Sequence, residues 1–295
     1  MREALAAALG EEVAELAPAT GGDLNRAFRA RTASGRTLFV KVPRDPDAVD
    51  PRGFEAEAAG LRWLAEAGAL PVPEVVAVGE RFLALEWVDG GGRVDDEQLG
   101  RGLALLHRAG AEGPGALPPG TPPPAVLRLG PLTLPNEPAS TWAELYADRR
   151  LLATARIAFD RGGLDDSGLR AVERVAARID DLAGPPEPTA RLHGDLWSGN
   201  VHAGADGRPW LVDPAAHGGH REVDLAMLAL FGTVSRRMRA AYEEVWPLAD
   251  GWADRVGLWQ LFPLLVHAAL FGGGYGARAA DVAARYGGGH GSHHR

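Results

Sequence analysis

The stretch Leu192-His193-Gly194-Asp195-Leu196-Trp197-Ser198-Gly199-Asn200 sets an aspartate and an asparagine at D-x-x-x-x-N spacing, that of a phosphoryl-transfer catalytic loop. Asp195 can orient an attacking hydroxyl and accept its proton, and the carbonyl of Asn200 can ligate magnesium. Thirteen residues on, the apolar run Trp210-Leu211-Val212 delivers Asp213, followed by Pro214. A carboxylate ending a buried strand beside such a loop is placed to hold magnesium across phosphates. A loop aspartate alone is more often a turn former or helix cap. The full H-G-D-L-x-x-x-N pattern, with a strand-borne Asp-Pro at this distance, favours chemistry.

Phosphate charge needs a cation, and Leu38-Phe39-Val40-Lys41-Val42 supplies one inside a strand pattern. Lys41 is the only lysine of the chain; every other fixed cation is arginine. Arginine bias replaces lysine wherever a guanidinium serves as well, so a lysine that remains suits a site needing a compact ammonium. Glu57, on the next predicted helix, is placed to hold Lys41. Glu55 is the rival, but two residues apart on a helix the side chains point in different directions. Gly21 and Gly22 precede this strand in a turn whose amides can cover phosphates. Glu86, Trp87 and Val88 lead into the glycine run 90–92 and are the segment expected to meet an adenine edge through its backbone.

Around these motifs the periodicity predicts a helix over 1–17, a turn-rich segment over 18–25, and strands over 27–32 and 37–42 joined as a hairpin. A helix over 54–67 and strands over 75–78 and 82–88 follow. Residues 89–92 read as a linker. Beyond it come helices over 98–108, 142–161 and 169–182, with a long proline- and glycine-rich surface loop over 113–138. Residues 192–213 are two short apolar segments around a polar loop. Residues 224–286 are helical, with breaks at Pro247 and at Gly272-Gly273-Gly274. The expected fold is α+β and two-lobed: a small β-sheet lobe over 1–88, a larger helical lobe over 89–286, and a disordered tail over 287–295. A nucleotide suits the cleft between two such lobes.

Bulk properties exclude several classes of function. The 295 residues suffice for one large or two small domains, with 46% hydrophobic and 24% charged residues. A net charge of -8 gives nucleic acid or an anionic membrane no general electrostatic support. With no cysteine there are no disulfides, thiolate metal sites or thiol catalysis. The opening residues mix apolar positions with glutamates, unlike a signal peptide, and no run is long enough for a membrane span. A cytoplasmic monomer without nucleic-acid or membrane partners is expected.

H-G-D-L-W-S-G-N at 193–200, D-P-A at 213–215 and G-H-R-E-V-D-L-A-M at 219–227 resemble the fructosamine kinase (ketosamine-3-kinase) family. That family belongs to the protein-kinase-like superfamily that includes aminoglycoside and choline kinases. The likeness extends through G-G-D-L-N at 21–25, F-V-K-V at 39–42, F-x-x-E-A-x-G-L at 54–61 and F-G-G-G-Y at 271–275, nearly the whole chain. It implies an enzyme that uses ATP and Mg2+ to phosphorylate the sugar 3-hydroxyl of a ketosamine, a glycated amine, and so begins deglycation. Lys41 would contact the α- and β-phosphates, Asn200 and Asp213 would hold the metal, and Asp195 would be the catalytic base. Many relatives have an aromatic pair where Ala216-His217 stands, so contacts near the sugar differ here.

Four residues are candidates for the acceptor side. Trp197, two residues past Asp195, suits a sugar-stacking platform, with ordinary core packing as the alternative. His217 and His220 lie near the motif in sequence. His267 either faces the sugar or is a satisfied core histidine. Asp224 suits a brace for the catalytic loop through backbone hydrogen bonds. Another small-molecule kinase of the same fold and a non-catalytic nucleotide-binding module are the rival readings.

Overall fold

A computed structural model describes residues 1–20, 25–45, 50, 52–137, 139–232 and 234–288. The chain begins with helix α1 (Arg2–Leu9), which Gly10 ends in the left-handed conformation at φ 68°. The predicted helix over 1–17 therefore stops early, and strand β1 (Val13–Ala19) follows. Beyond Gly10 the side chains serve a ladder, pairing Leu16 with Ala30 and Ala17 with Arg29. β2 (Asn25–Thr32), β3 (Thr37–Pro43), helix α2 (Gly53–Glu66), β4 (Val75–Gly79) and β5 (Phe82–Glu86) complete the first lobe. The strands form one antiparallel sheet in the order β1-β2-β3-β5-β4.

Alternation along the central strands sorts the side chains onto two faces. Leu38 and Val40 of β3, with Phe82 and Ala84 of β5, pack beneath Leu5 of α1. Phe39, Leu83 and Leu85 turn to the other face, against Phe54, Ala58 and Leu61 of α2. Lys41, two residues after Phe39, follows the second face, and the β2–β3–β5 register sets it between Ala27 and Leu83.

The linker after β5 is tied to the second lobe. Gly90 bridges Gly204, Ala205 N–H donates to Asp89 O (2.8 Å), and Asp95 N–H donates to Gly207 O (3.1 Å). Gly92 has to be glycine: a Cβ there would stand 2.1 Å from Gly204 O. Helix α3 (Asp96–Arg108) then starts with Asp95 as its N-cap, accepting from the amides of Glu97 and Gln98.

The stretch read as a long surface loop holds a hairpin, β6 (Val126–Leu129) with β7 (Leu132–Pro135). Leu127, Leu132 and Leu134 are its buried residues, and the surrounding prolines hid the short alternation. Next comes one continuous helical rod: α4 (Trp142–Leu145), a π-helical segment (Tyr146–Leu152) and α5 (Ala153–Asp160). α6 (Asp166–Ala176) and α7 (Ile179–Leu182) follow. Two ribbons carry the motif region: β8 (Ala190–Leu192) pairs with β11 (His217–Gly219), and β9 (Val201–Ala203) pairs with β10 (Pro209–Leu211). α8 (Glu222–Leu230), α9 (Arg236–Val245), α10 (Trp252–Phe271) and α11 (Tyr275–Gly287) close the chain. Of the predicted tail, Gly287 ends α11 and residues 289–295 lie outside the described residues.

Pro263 lies inside α10 and cannot donate to the carbonyl of Trp259. The buried Tyr146 hydroxyl lies against this break, donating to Leu258 O (2.8 Å) with Trp259 O 3.3 Å away. Tyr146, Trp259, Phe262 and the leucines of α10 form the main core of the helical lobe. A second core runs under the motif loop, where Leu196, Val201 and Leu211 meet Leu103, Met238 and Tyr242.

Candidate active site

Leu196 is fully buried and pins the 192–200 loop from below. Burying such a leucine contributes about 1.5–3 kcal/mol. Gly194, at φ 82°, allows the turn above it; a Cβ there would stand 2.1 Å from Ala215 O. The loop amides are held from behind: His193 N–H donates to Asp224 Oδ2 (2.7 Å) and Gly194 N–H to Asp224 Oδ1 (3.0 Å). Asp224 is thus the brace expected of it. His193 ties the loop to the residue after β10, its Nε2 lying 2.9 Å from Val212 O.

These bonds leave the half-buried Asp195 carboxylate on the cleft side, with Asn200 beside it. The Asn200 amide nitrogen donates to Asp195 O (2.8 Å) and Oδ2 (3.2 Å), so its carbonyl oxygen points elsewhere. Burial, and then the negative charge of Asp213, push the Asp195 carboxyl up to about 6. Asp213 itself sits at φ 57°, a left-handed backbone rare for a residue with a side chain. Such strain, on the order of 1–3 kcal/mol, is characteristic of functional sites.

Lys41 reaches the same place from the first lobe. It is 4% exposed, donates to Glu57 Oε1 at 2.6 Å and also contacts Asp213 Oδ1. Burial disfavours its charge, but the two carboxylates outweigh that and hold the ammonium protonated beyond the ordinary lysine range. The structure pairs Lys41 with Glu57 and not with Glu55. Lys41, Glu57, Asp213, Asn200 and Asp195 therefore form one contiguous polar cluster between the lobes.

Beside the linker, Phe39 and Trp87 have ring centroids 6.3 Å apart, and the Arg29 guanidinium lies 5.1 Å above the Trp87 ring. Phe39 shares a strand face with Lys41. The Glu86 carboxylate accepts from the Glu74 amide (3.2 Å), and the Trp87 indole N–H donates to Asp89 (3.0 Å). Val88 is half-buried beside them. Gly21 and Gly22, expected to cover phosphates, lie outside the described residues.

Trp197, expected to meet the acceptor, is 36% exposed and folds its ring over Gly199, where a Cβ would meet the indole at 2.2 Å. It packs edge-on to Phe231, and Phe231 packs on His267 at 4.8 Å. His267 continues to Phe271 and Tyr275, while its Nδ1 lies 2.7 Å from Pro263 O. Burial lowers its pKa, so it stands at neutral pH as an uncharged ring in an aromatic row.

The other two histidines correct the expectation that they face the acceptor. His217 is buried behind the loop, stacked on Trp142 with Nδ1 2.8 Å from Ala215 O. Burial, helped by the Arg150 charge, lowers its pKa to about 4. His220 stacks on Trp259 at 5.1 Å inside an ionic network. There Arg221 grips Glu187 through two bonds of 2.6 and 2.7 Å, and Arg255 grips Glu222 at 2.9 and 2.6 Å. Glu187, His220 and Glu222 lie close enough to share a cation, but the arginines already hold both carboxylates. Proximity in sequence misled here because β11 buries His217 and the ring of Trp259 covers His220.

Residues 1–286 match the family model described as fructosamine kinase. The chain is 46% identical to the protein in a crystal structure of a candidate fructosamine-3-kinase from Thermobifida fusca, with a TM-score of 0.87 over 97% of this chain and 98% of that one. It is 38% identical to a candidate ketoamine kinase of Thermus thermophilus over 88% of each chain. A chloroplastic protein-ribulosamine 3-kinase of Arabidopsis thaliana is 31% identical over 92% of this chain and 82% of its own. An aminoglycoside phosphotransferase crystallised with ADP and hygromycin B shares the two-lobed, protein-kinase-like fold at 20% identity and a TM-score of 0.64.

Proposed function

The chain belongs to the fructosamine kinase family, and from that premise we propose that it transfers the γ-phosphoryl group of ATP to the sugar 3-hydroxyl of a ketosamine. It is a phosphotransferase with an alcohol as acceptor. The observation that carries this reading is the convergence of Lys41, Glu57, Asp195, Asn200 and Asp213 on one cleft, in a chain matched to that family over 286 residues.

In this reading Lys41 neutralises the α- and β-phosphates while Glu57 holds its ammonium in place. Asp195 orients the 3-hydroxyl and accepts its proton as the oxygen attacks the γ-phosphorus. A carboxyl with a pKa of about 6 is ionised at neutral pH yet basic enough to take that proton. Asn200 and Asp213 offer hard oxygen atoms on the phosphate side, which suits Mg2+. When bound, Mg2+ supplies charge neutralisation across the phosphates. Phe39 and the 86–88 segment form the walls for the adenine, and Trp197 offers an indole face to the C–H side of the sugar. Enolisation of the product toward C1 expels the C3 phosphate, and hydrolysis of the resulting imine by water releases the amine.

The proposed setting is a cytoplasmic monomer without nucleic-acid or membrane partners. Among the described residues no helix is long and apolar enough to cross a membrane, and the net charge is -8. The deciding experiment is a panel of acceptors with Mg-ATP: fructosamine, ribulosamine and erythrulosamine derivatives against an aminoglycoside, choline and free hexoses. Turnover confined to ketosamines supports the proposal. Turnover of choline or an aminoglycoside at higher kcat/KM overturns it in favour of another kinase of this fold.

A further inference from the structure

The brace behind the catalytic loop continues past Asp224. α9 is seated on α3 at Gly100, where a Cβ would stand 2.1 Å from Met238 O. Two helical turns beyond Gly100 on the same face of α3 is His107, and one turn beyond Met238 on α9 is Tyr242. The close approach brings them together: the Tyr242 hydroxyl lies 2.8 Å from His107 Nδ1, and His107 Nε2 lies 3.2 Å from Asp224 Oδ2. All three side chains are fully buried.

Burial raises the Tyr242 pKa, so the phenol stays protonated. Burial opposes the Asp224 charge, but the His107 bond and the loop amides outweigh it, so the carboxylate stays ionised and can only accept. With His107 Nε2–H directed at Asp224 Oδ2, its Nδ1 is placed to accept from the Tyr242 hydroxyl. The far end is anchored in turn, because Arg221 lies 5.9 Å over the Tyr242 ring and is fixed by Glu187 and by stacking on Trp246 at 4.1 Å.

We propose that His107 and Tyr242 are positioning residues for phosphoryl transfer: they set the orientation of Asp224, and through the His193 and Gly194 amides the placement of Asp195. The proposal rests on Asp195 being the base. Its physical ground is that Asp224 has two oxygens and three donors. If His107 is lost or presents a bare nitrogen, the carboxylate rotates and at least one loop amide loses its partner. A displacement of the order of 1 Å at the reacting group lowers the rate about a hundredfold.

The test measures steady-state kinetics with Mg-ATP and a small ketosamine for Tyr242→Phe, His107→Leu, His107→Gln and Asp195→Asn, with melting temperatures and ATP titrations on each. Tyr242→Phe removes one oxygen and is expected to lower kcat about tenfold, and His107→Leu about thirtyfold or more, with both KM values within about twofold. His107→Gln restores an N–H near the Nε2 position and is expected to recover kcat to within about threefold of wild type. Folded Tyr242→Phe and His107→Leu proteins with kcat unchanged would overturn the proposal. So would losses in kcat and KM together without rescue by glutamine, the pattern of a merely structural pair. If His107→Leu does not fold, Tyr242→Phe and His107→Gln decide. Undiminished turnover in Asp195→Asn would instead sink the assignment of the base.

Discussion

Lys41 and Asp213 are in direct contact across 172 residues of sequence, and Glu57 closes the cluster from the other side of the ammonium. A guanidinium is wider than an ammonium and cannot touch both carboxylates in the same space. Lys41→Arg is therefore expected to weaken ATP binding and to lower kcat/KM at least about tenfold, despite the conserved charge. Calorimetric ATP titration and initial rates check this. Unchanged values for both would assign Lys41 no more than a structural ion pair.

Asp195→Asn is expected to lower turnover by about a hundredfold or more, because the amide keeps the shape and loses the base. The same substitution should stabilise the ligand-free protein. The folded-state pKa of about 6 lies above that of an ordinary aspartate, so between the two values the folded state binds more protons than the unfolded chain. Stability then falls as pH rises through that window, and the deficit is fully present above about pH 6. Relieving it is worth about 1–2 kcal/mol for a half-buried group. The melting temperature of Asp195→Asn should exceed wild type at pH 7.5, and the gap should close towards pH 4.

Trp197→Ala is expected to raise the acceptor KM about tenfold and to leave ATP affinity within about twofold. The ring is exposed and rests on Gly199 and Phe231, so its truncation leaves the loop anchor Leu196 in place. Equal acceptor KM values in wild type and a folded variant would make the indole a packing residue.

Glu222→Ala is expected to destabilise the protein by about 3–5 kcal/mol, because it strands a buried guanidinium. Arg255 and the Trp259 indole N–H, at 2.8 Å, both donate to this carboxylate. Urea denaturation followed by tryptophan fluorescence measures the change. Glu222→Gln keeps the shape and one acceptor, and should lose less.

The residues of the polar cluster around Lys41 were legible because each announces itself locally. Asp195 and Asn200 share one loop, Asp213 ends the next apolar strand, and Lys41 interrupts a strand as the only lysine. What escaped was set by distant packing or by competing local signals. Helical spacing continues past Gly10 in sequence, yet the edge of the sheet claims residues 13–19. The prolines of 113–138 masked the four-residue strands of β6 and β7. His107 lies 117 positions before Asp224, and no pattern within α3 singles it out from a core histidine. His217 and His220 were drawn toward the acceptor by their place in the chain, whereas the β8–β11 pairing buries His217 and stacking on Trp259 buries His220.

The burial of Lys41 has a chemical consequence for the protein as a solute among reducing sugars. Sugars condense with amines that are exposed and unprotonated. This chain holds a single ε-amine, 4% exposed and locked in its ammonium form by two carboxylates. A catalyst acting on glycated amines thus presents no exposed lysine to the adduct chemistry it reverses.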